Sequence, residues 1–243
     1  MSEQYRRFPQ VLLLGNGLNR VVQSDGWGDL LARIKRNPEI CINDDTYSSL
    51  PYPLLAVLAT NDQVDQAIKE NINLFYGASD DAMEELRPCL QQLLGMGFDD
   101  ILTTNYSYEL ERAADQSVTR EGSNCKKWMR HTEEIISAER KYLLHTYNAV
   151  SYRGINNRVW HIHGEIRKPD SVILGHYYYG KLFSKYQELL NQRGNRQFVL
   201  EQQGKPPIMK SWLDAFLLGD VYVLGFGYDF SVFDLGWLLD RKK

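Results

Sequence analysis

Nowhere in this chain do two cysteines stand as a Cys-x-x-Cys pair; the three present, Cys41, Cys89 and Cys125, lie far apart. That spacing excludes a zinc ribbon and a thioredoxin-type redox motif. So sparse and odd a set also argues against a disulfide framework and leads us to expect a reducing compartment, the cytoplasm. No run of about 18 apolar residues occurs, the length needed to cross a bilayer as a helix. The apolar stretch near the N-terminus is too short for a secretory signal. Neither sign of charge dominates, the formal net charge being −3 over 243 residues. A broad basic field for gripping nucleic acid is therefore missing, and the cluster Lys126, Lys127 and Arg130 reads as a solvated face. Internal repeats and low-complexity tracts are absent as well.

What is there is the composition of an ordinary globular domain, 43% hydrophobic and 24% charged. A chain this long buries a sizeable core without cross-links. Short runs rich in Val, Ile and Leu at 11–14, 100–104, 159–163, 172–174 and 221–224 read as strands. Runs such as Val-Leu-Leu-Leu are apolar throughout, as in strands buried on both faces of a parallel sheet. Between them, helical periodicity marks 27–35, 62–74, 80–94, 108–116, 181–192 and 208–218. Strands alternating with helices imply βαβ units, and the expected architecture is α/β, a Rossmann-like doubly wound, mostly parallel sheet. The chain reads as a single domain over 1–243. Helical insertions near 37–95 and 119–152 would form a smaller module, with a weak strand signal at 142–147. Residues 229–243 read as a closing helix that ends without a further element, either a natural end or the edge of a domain cut from a longer protein.

Glycine turns and polar residues follow the strands. Leu14 runs into Gly15-Asn16-Gly17-Leu18-Asn19-Arg20, where glycines let backbone approach a phosphate and helix-opening N–H groups favour an anion. The third glycine and the later acid of the dinucleotide fingerprint are missing, so a plain tight turn is an equal reading. The second strand enters Thr103-Thr104-Asn105-Tyr106. Residues beyond the carboxyl end of a parallel strand face the ligand crevice, but Thr104 or Asn105 could equally cap a following helix. Strand 159–163 carries His161 and His163, which alternation places on one face. His163, beside Gly164, could act as a general base, the two could hold a metal with His176 or an acid, or both could be buried and satisfied. The last strand enters Gly225-Phe226-Gly227-Tyr228-Asp229, where Asp229 is a crevice residue or a helix cap.

Taken in order, Gly-Asn-Gly, Thr-Thr-Asn-Tyr, His-Gly and Gly-Phe-Gly-Tyr-Asp resemble the Sir2-like family, in its bacterial branch without a zinc module. Trp27 followed by Leu30 and Leu31 belongs to the same pattern, which spans residues 11 to about 239. The resemblance implies a single NAD⁺ site lined by Gly15, Asn16, Gly17, Asn19, Thr104, Tyr106, Gly225, Gly227, Tyr228 and Asp229. It implies that Asn105 contacts the nicotinamide ribose and positions the attacking group, and that His163 is the catalytic histidine acting on a ribose hydroxyl. Ser107 stands where these relatives often carry aspartate, and the strand that usually closes the fold is not evident.

Sirtuin-type deacylases carry two Cys-x-x-Cys pairs in a small domain that helps form the acyl-lysine groove, and this chain has neither. The resemblance therefore implies NAD⁺ as substrate, no metal, and a glycohydrolase releasing nicotinamide and ADP-ribose, of the kind that serves as an effector of bacterial anti-phage defence. Free activity of this kind would kill its own cell, so gating by a homo-oligomer or a regulatory partner is expected. The competing expectations are a non-catalytic sensor of NAD⁺ or ADP-ribose, an NAD-dependent deacylase, and a metal-dependent hydrolase built on His161 and His163.

Overall fold

The computed structural model of the chain describes residues 8–22, 78–114, 119–122, 142–174, 176–202, 210–227 and 233–242. Strands β1 (Gln10–Leu14), β2 (Asp100–Thr103), β3 (Thr119–Gly122), β4 (Thr146–Tyr152), β5 (Ile155–His161) and β6 (Asp220–Leu224) form one sheet in the order β3-β4-β5-β2-β1-β6. The four strands β5, β2, β1 and β6 are mutually parallel, whereas β4 and β3 continue the sheet antiparallel. Six helices are described: α1 (Asn19–Val22), α2 (Asp80–Gly95), α3 (Glu109–Ala113), α4 (His176–Gln202), α5 (Trp212–Leu218) and α6 (Phe233–Arg241).

Side chains alternate across a strand, so the apolar residues Val11 to Leu14 of β1 feed two cores at once. Val11 and Leu13, with Leu102 and Trp160, pack against Tyr179, Leu182 and Tyr186 of α4, Trp212 and Phe216 of α5 and Leu235 and Leu238 of α6. Leu12 and Leu14, with Ile101 and Val159, pack against Met83, Leu86 and Leu90 of α2 and Leu110 of α3. Helices therefore cover both faces of a mostly parallel sheet, the α/β architecture that the strand–helix alternation predicts.

Several boundaries differ for identifiable reasons. The strand expected at 159–163 begins at Ile155, because Arg153 and Gly154, both at positive φ (50° and 80°), turn β4 tightly back into β5. A two-residue turn with both residues at positive φ matches the twist of paired strands. Residues 119–152, expected to carry helical insertions, contribute strands at 119–122 and 146–152. The run 172–174 is no strand: it is buried, but Ile173 N donates to the carbonyl of His163 outside any ladder. An apolar run reports burial, not pairing. Helix α4 extends in both directions beyond 181–192, tolerating Gly180 within it at a propensity cost of about 1 kcal/mol. Helix α5 begins at Trp212 rather than at 208, because Ser211 and Asp214 form a capping box there. The helices expected at 27–35 and 62–74 lie outside the described residues. Among the described residues, no helix is long and apolar enough to cross a membrane.

Candidate active site

Because β5, β2, β1 and β6 are parallel neighbours, their carboxyl ends lie along one edge of the sheet. That edge gathers segments some two hundred residues apart in sequence: the turn at Gly15–Gly17, Thr104–Tyr106, His161–Gly164 and the turn at Gly225. From β1 the chain steps to β2 and β5, then returns to β6 on the opposite side of β1. At such a reversal the flanking helices leave to opposite faces, and the carboxyl ends there are the usual ligand crevice of an open α/β sheet.

The two glycine turns meet at the reversal. Gly15 N donates to Leu224 O at 3.0 Å and Gly17 N to Gly225 O at 2.8 Å. A Cβ on Gly17 would fall 2.6 Å from Gly225 Cα, and one on Gly15 would run into the Gly225 carbonyl. These glycines are thus required by contact between two loops, and both amides are engaged within the protein rather than turned to a phosphate. Asn16 is half-buried between them, Asn19 is buried at the start of α1, and Gly227 is exposed. Tyr228 and Asp229 lie outside the described residues.

At the next strand end, Thr104 N donates to Leu14 O at 3.3 Å, tying β2 to β1. Asn105 N donates to Thr103 Oγ1 at 3.1 Å, which turns the chain sharply. Neither Thr104 nor Asn105 is a helix cap, because α3 starts only at Glu109 with Tyr108 at the cap position. Asn105 is buried, and its side-chain Oδ1 has no hydrogen-bond partner. Tyr106 is buried inward, its hydroxyl donating to Ile173 O at 2.8 Å while its carbonyl accepts from Ile166 N. It braces the Asn105 turn against the segment after β5.

The two histidines separate. His161, the last residue of β5, shares the face of Val159: its Nδ1 lies 2.8 Å from Asn105 O and its Nε2 2.9 Å from Glu111 Oε1 of α3. Beyond it the strand stops in a turn at Ile162 and His163, closed by Gly164 at φ 96°. His163 therefore points to the other face, with Nε2 3.0 Å from Asp234 Oδ2 of α6 and Nδ1 3.5 Å from the Tyr179 hydroxyl of α4. The expectation of one shared face fails because strand alternation ends two residues before it would have applied. With separate partners on separate faces, the pair does not converge on a single ion. Among the described residues no group of three His, Cys, Asp or Glu side chains is placed to hold a metal.

Asp234 Oδ2 also accepts from the Tyr186 hydroxyl at 3.3 Å. Burial, then the adjacent Asp234 charge, push the Tyr186 hydroxyl well above its ordinary range and keep it a donor. In the neutral His163 ring, an Nε2–H directed at the carboxylate leaves Nδ1 as the lone-pair nitrogen. Around His161 burial opposes charge, but Glu111, its hydrogen bond and Glu165 outweigh it and raise the ring to about 9. Glu111 is lowered: burial raises it, and the His161 charge, the His161 hydrogen bond and Asn148 Nδ2 at 2.7 Å overcome that.

The raised histidine stabilises the fold fully below its ordinary value of 6.5, and that contribution is lost as pH rises through about 9. The lowered Glu111 contributes above its ordinary 4.5 and loses that as pH falls. Wild-type Tm should therefore decline between pH 6.5 and about 9, and His161→Gln should flatten that decline in a thermal-melt series. An unchanged slope would remove the pair from the stability balance.

Asp234, Tyr179, Glu111 and Asn148 were not singled out from sequence. The one legible signal was Asp234, an acid on the apolar face of the last helix beside Leu235 and Leu238. His176 begins α4, and its side chain lies outside the described set. No family model matches this chain, and no curated protein matches it.

Proposed function

We propose that this is a Sir2-like, Rossmann-like doubly wound domain whose carboxyl edge binds NAD⁺ and hydrolyses it to nicotinamide and ADP-ribose. The observation that carries the reading is the buried Asn105 side chain, whose Oδ1 is left unpartnered at the end of β2, on the same carboxyl edge of the sheet that carries the His163–Asp234 pair after β5. An unpaired buried amide oxygen costs about 1–3 kcal/mol, a cost that a ligand hydroxyl or water would remove.

The chemistry asks little of the protein. The nicotinamide nitrogen is already cationic, so the ribose C1′–N bond breaks with its electron pair going to nicotinamide, leaving an oxocarbenium-like centre. Water adds at C1′ and loses one proton. In this reading Asn105 holds that water and the ribose, and His163 Nδ1 takes the proton from the water or from a ribose hydroxyl. The present Tyr179 contact at 3.5 Å is long for a hydrogen bond, so a substrate hydroxyl would exchange for it readily. Asp234 holds the ring in orientation. Gly15 and Gly17, whose amides are bonded to Leu224 and Gly225, shape the crevice wall with Gly225 instead of supplying those amides to the pyrophosphate. A cytoplasmic, gated effector of anti-phage defence, acting through a homo-oligomer or a partner, is the setting such an activity fits.

Purified protein incubated with NAD⁺ over a concentration series should release nicotinamide and ADP-ribose, resolved by chromatography. Asn105→Ala and His163→Ala should each lower that rate by roughly 10²–10⁴-fold. Binding of NAD⁺ without release would replace the hydrolase by a nucleotide sensor, and release only with an acyl-lysine peptide would replace it by a deacylase.

A further inference from the structure

A main-chain carbonyl and a carboxylate oxygen are both acceptors, so the ring nitrogen facing each must carry a hydrogen. His161 meets Asn105 O at Nδ1 and Glu111 Oε1 at Nε2, both within 3 Å, and is therefore the doubly protonated imidazolium. This ring cannot take a proton, which removes it as a general base. Its position says what it does instead. β2 ends at Thr103, so Asn105 has no ladder bond. Its N–H is held by the Thr103 side chain and its carbonyl by His161.

We propose that His161 and Glu111 are positioning residues: the imidazolium, anchored by Glu111 and Asn148, clamps the Asn105 carbonyl and so aims the Asn105 side chain at substrate. The role rests on reading Asn105 as the residue that holds the ribose and water. A charge-assisted bond to a buried carbonyl is about twice as strong as a neutral one, which suits a turn held by side chains alone. Asn148 reaches Glu111 from β4, so the clamp spans three elements and is buried throughout. The groups facing His161 are Glu111 on α3, Tyr108 at its cap with a ring-centroid distance of 5.2 Å, Glu165 after β5, and the neutral Asn148 and Asn105.

The test uses the full chain with Glu111→Gln and His161→Ala. The pH profiles of kcat and KM for NAD⁺ are measured alongside ¹⁵N NMR of the His161 ring. Glutamine keeps an acceptor for Nε2–H but removes the charge. The alkaline limb of kcat should then move from about 9 toward the ordinary histidine range, about 6.5. Activity should recover on the acid side of the new limb while KM stays nearly constant. A merely structural lesion would depress kcat evenly at every pH. His161→Ala should lose roughly 10²-fold in kcat, the scale of a misplaced reacting group. A wild-type limb position retained in Glu111→Gln overturns the proposal. So does a singly protonated His161 near neutral pH in the wild type. If wild type leaves NAD⁺ intact, the hydrolase reading fails on its own; the ring NMR still decides whether the charged clamp exists.

Discussion

Gly164→Ala is expected to lower stability by about 2–5 kcal/mol, a Tm loss of roughly 4–20 °C for a domain of this size. Two terms add. At φ 96° an L-residue is strained, by about 1–2 kcal/mol. The added methyl would also run into Ser171 O and lie 2.7 Å from Val172 Cα, both backbone atoms. Neither can retreat easily. Ser171 is fully buried, its hydroxyl accepting from Glu165 N and donating to Lys168 O, and Ile173 N is bonded to His163 O at 2.8 Å. Overpacking of this kind adds about 1–3 kcal/mol. Gly97→Ala is the control: φ is 77°, yet nothing lies within 4 Å of the added carbon, so it should show the strain term alone. Equal melting temperatures for the two variants would mean that the 171–172 backbone gives way. In that case His163, hydrogen-bonded to the same segment, would not be held by it.

Strand legibility followed burial only in part. The apolar run of β1 and the Ile101–Leu102 pair of β2 are readable because strands covered on both faces leave no room for alternation, whereas the apolar run of β6 is mostly exposed beside β1. The parallel pairing of these strands brings the motifs to one edge. Where a strand stops is a different matter, set by backbone torsions that periodicity does not encode. Alternation put His161 and His163 on one face because nothing in Trp-His-Ile-His-Gly signals that pairing ends at His161, where the chain enters the turn that Gly164 closes at positive φ. The Arg153–Gly154 turn was missed for a similar reason, since arginine is an uncommon residue at positive φ. Site partners were least legible. Glu111 reaches His161 from a helix and is itself held by Asn148 from an antiparallel strand, and Asp234 reaches His163 from the last helix. Each looked like an ordinary polar residue of its own element until the fold closed.

The glycine turns make the sharpest distinction between two explanations of one motif. If Gly17 is glycine because a pyrophosphate approaches its backbone, Gly17→Ala should fold normally and lose only nucleotide binding. If it is glycine because a second loop occupies the space, the loss should appear in the fold itself. The second outcome is expected. The Gly17 Cβ would sit 2.6, 2.7 and 3.0 Å from Gly225 Cα, O and C, all main-chain atoms, and Gly225 is itself held at φ 63°. Making room means breaking the Gly17–Gly225 hydrogen bond and stretching the Gly15–Leu224 one. Each such bond is worth about 1 kcal/mol, and the overpacking adds about 1–3 kcal/mol. A destabilisation of about 2–5 kcal/mol, read as the shift of a denaturant midpoint, is the expected result, with NAD⁺ consumption falling in parallel. Gly227→Ala, with open space around the new carbon, should leave the midpoint where it is. A Gly17→Ala protein as stable as wild type but unable to bind NAD⁺ would return that turn to the phosphate. It would also mean that the two loops part to admit substrate, because the amides now bonded to Leu224 and Gly225 would have to be released first.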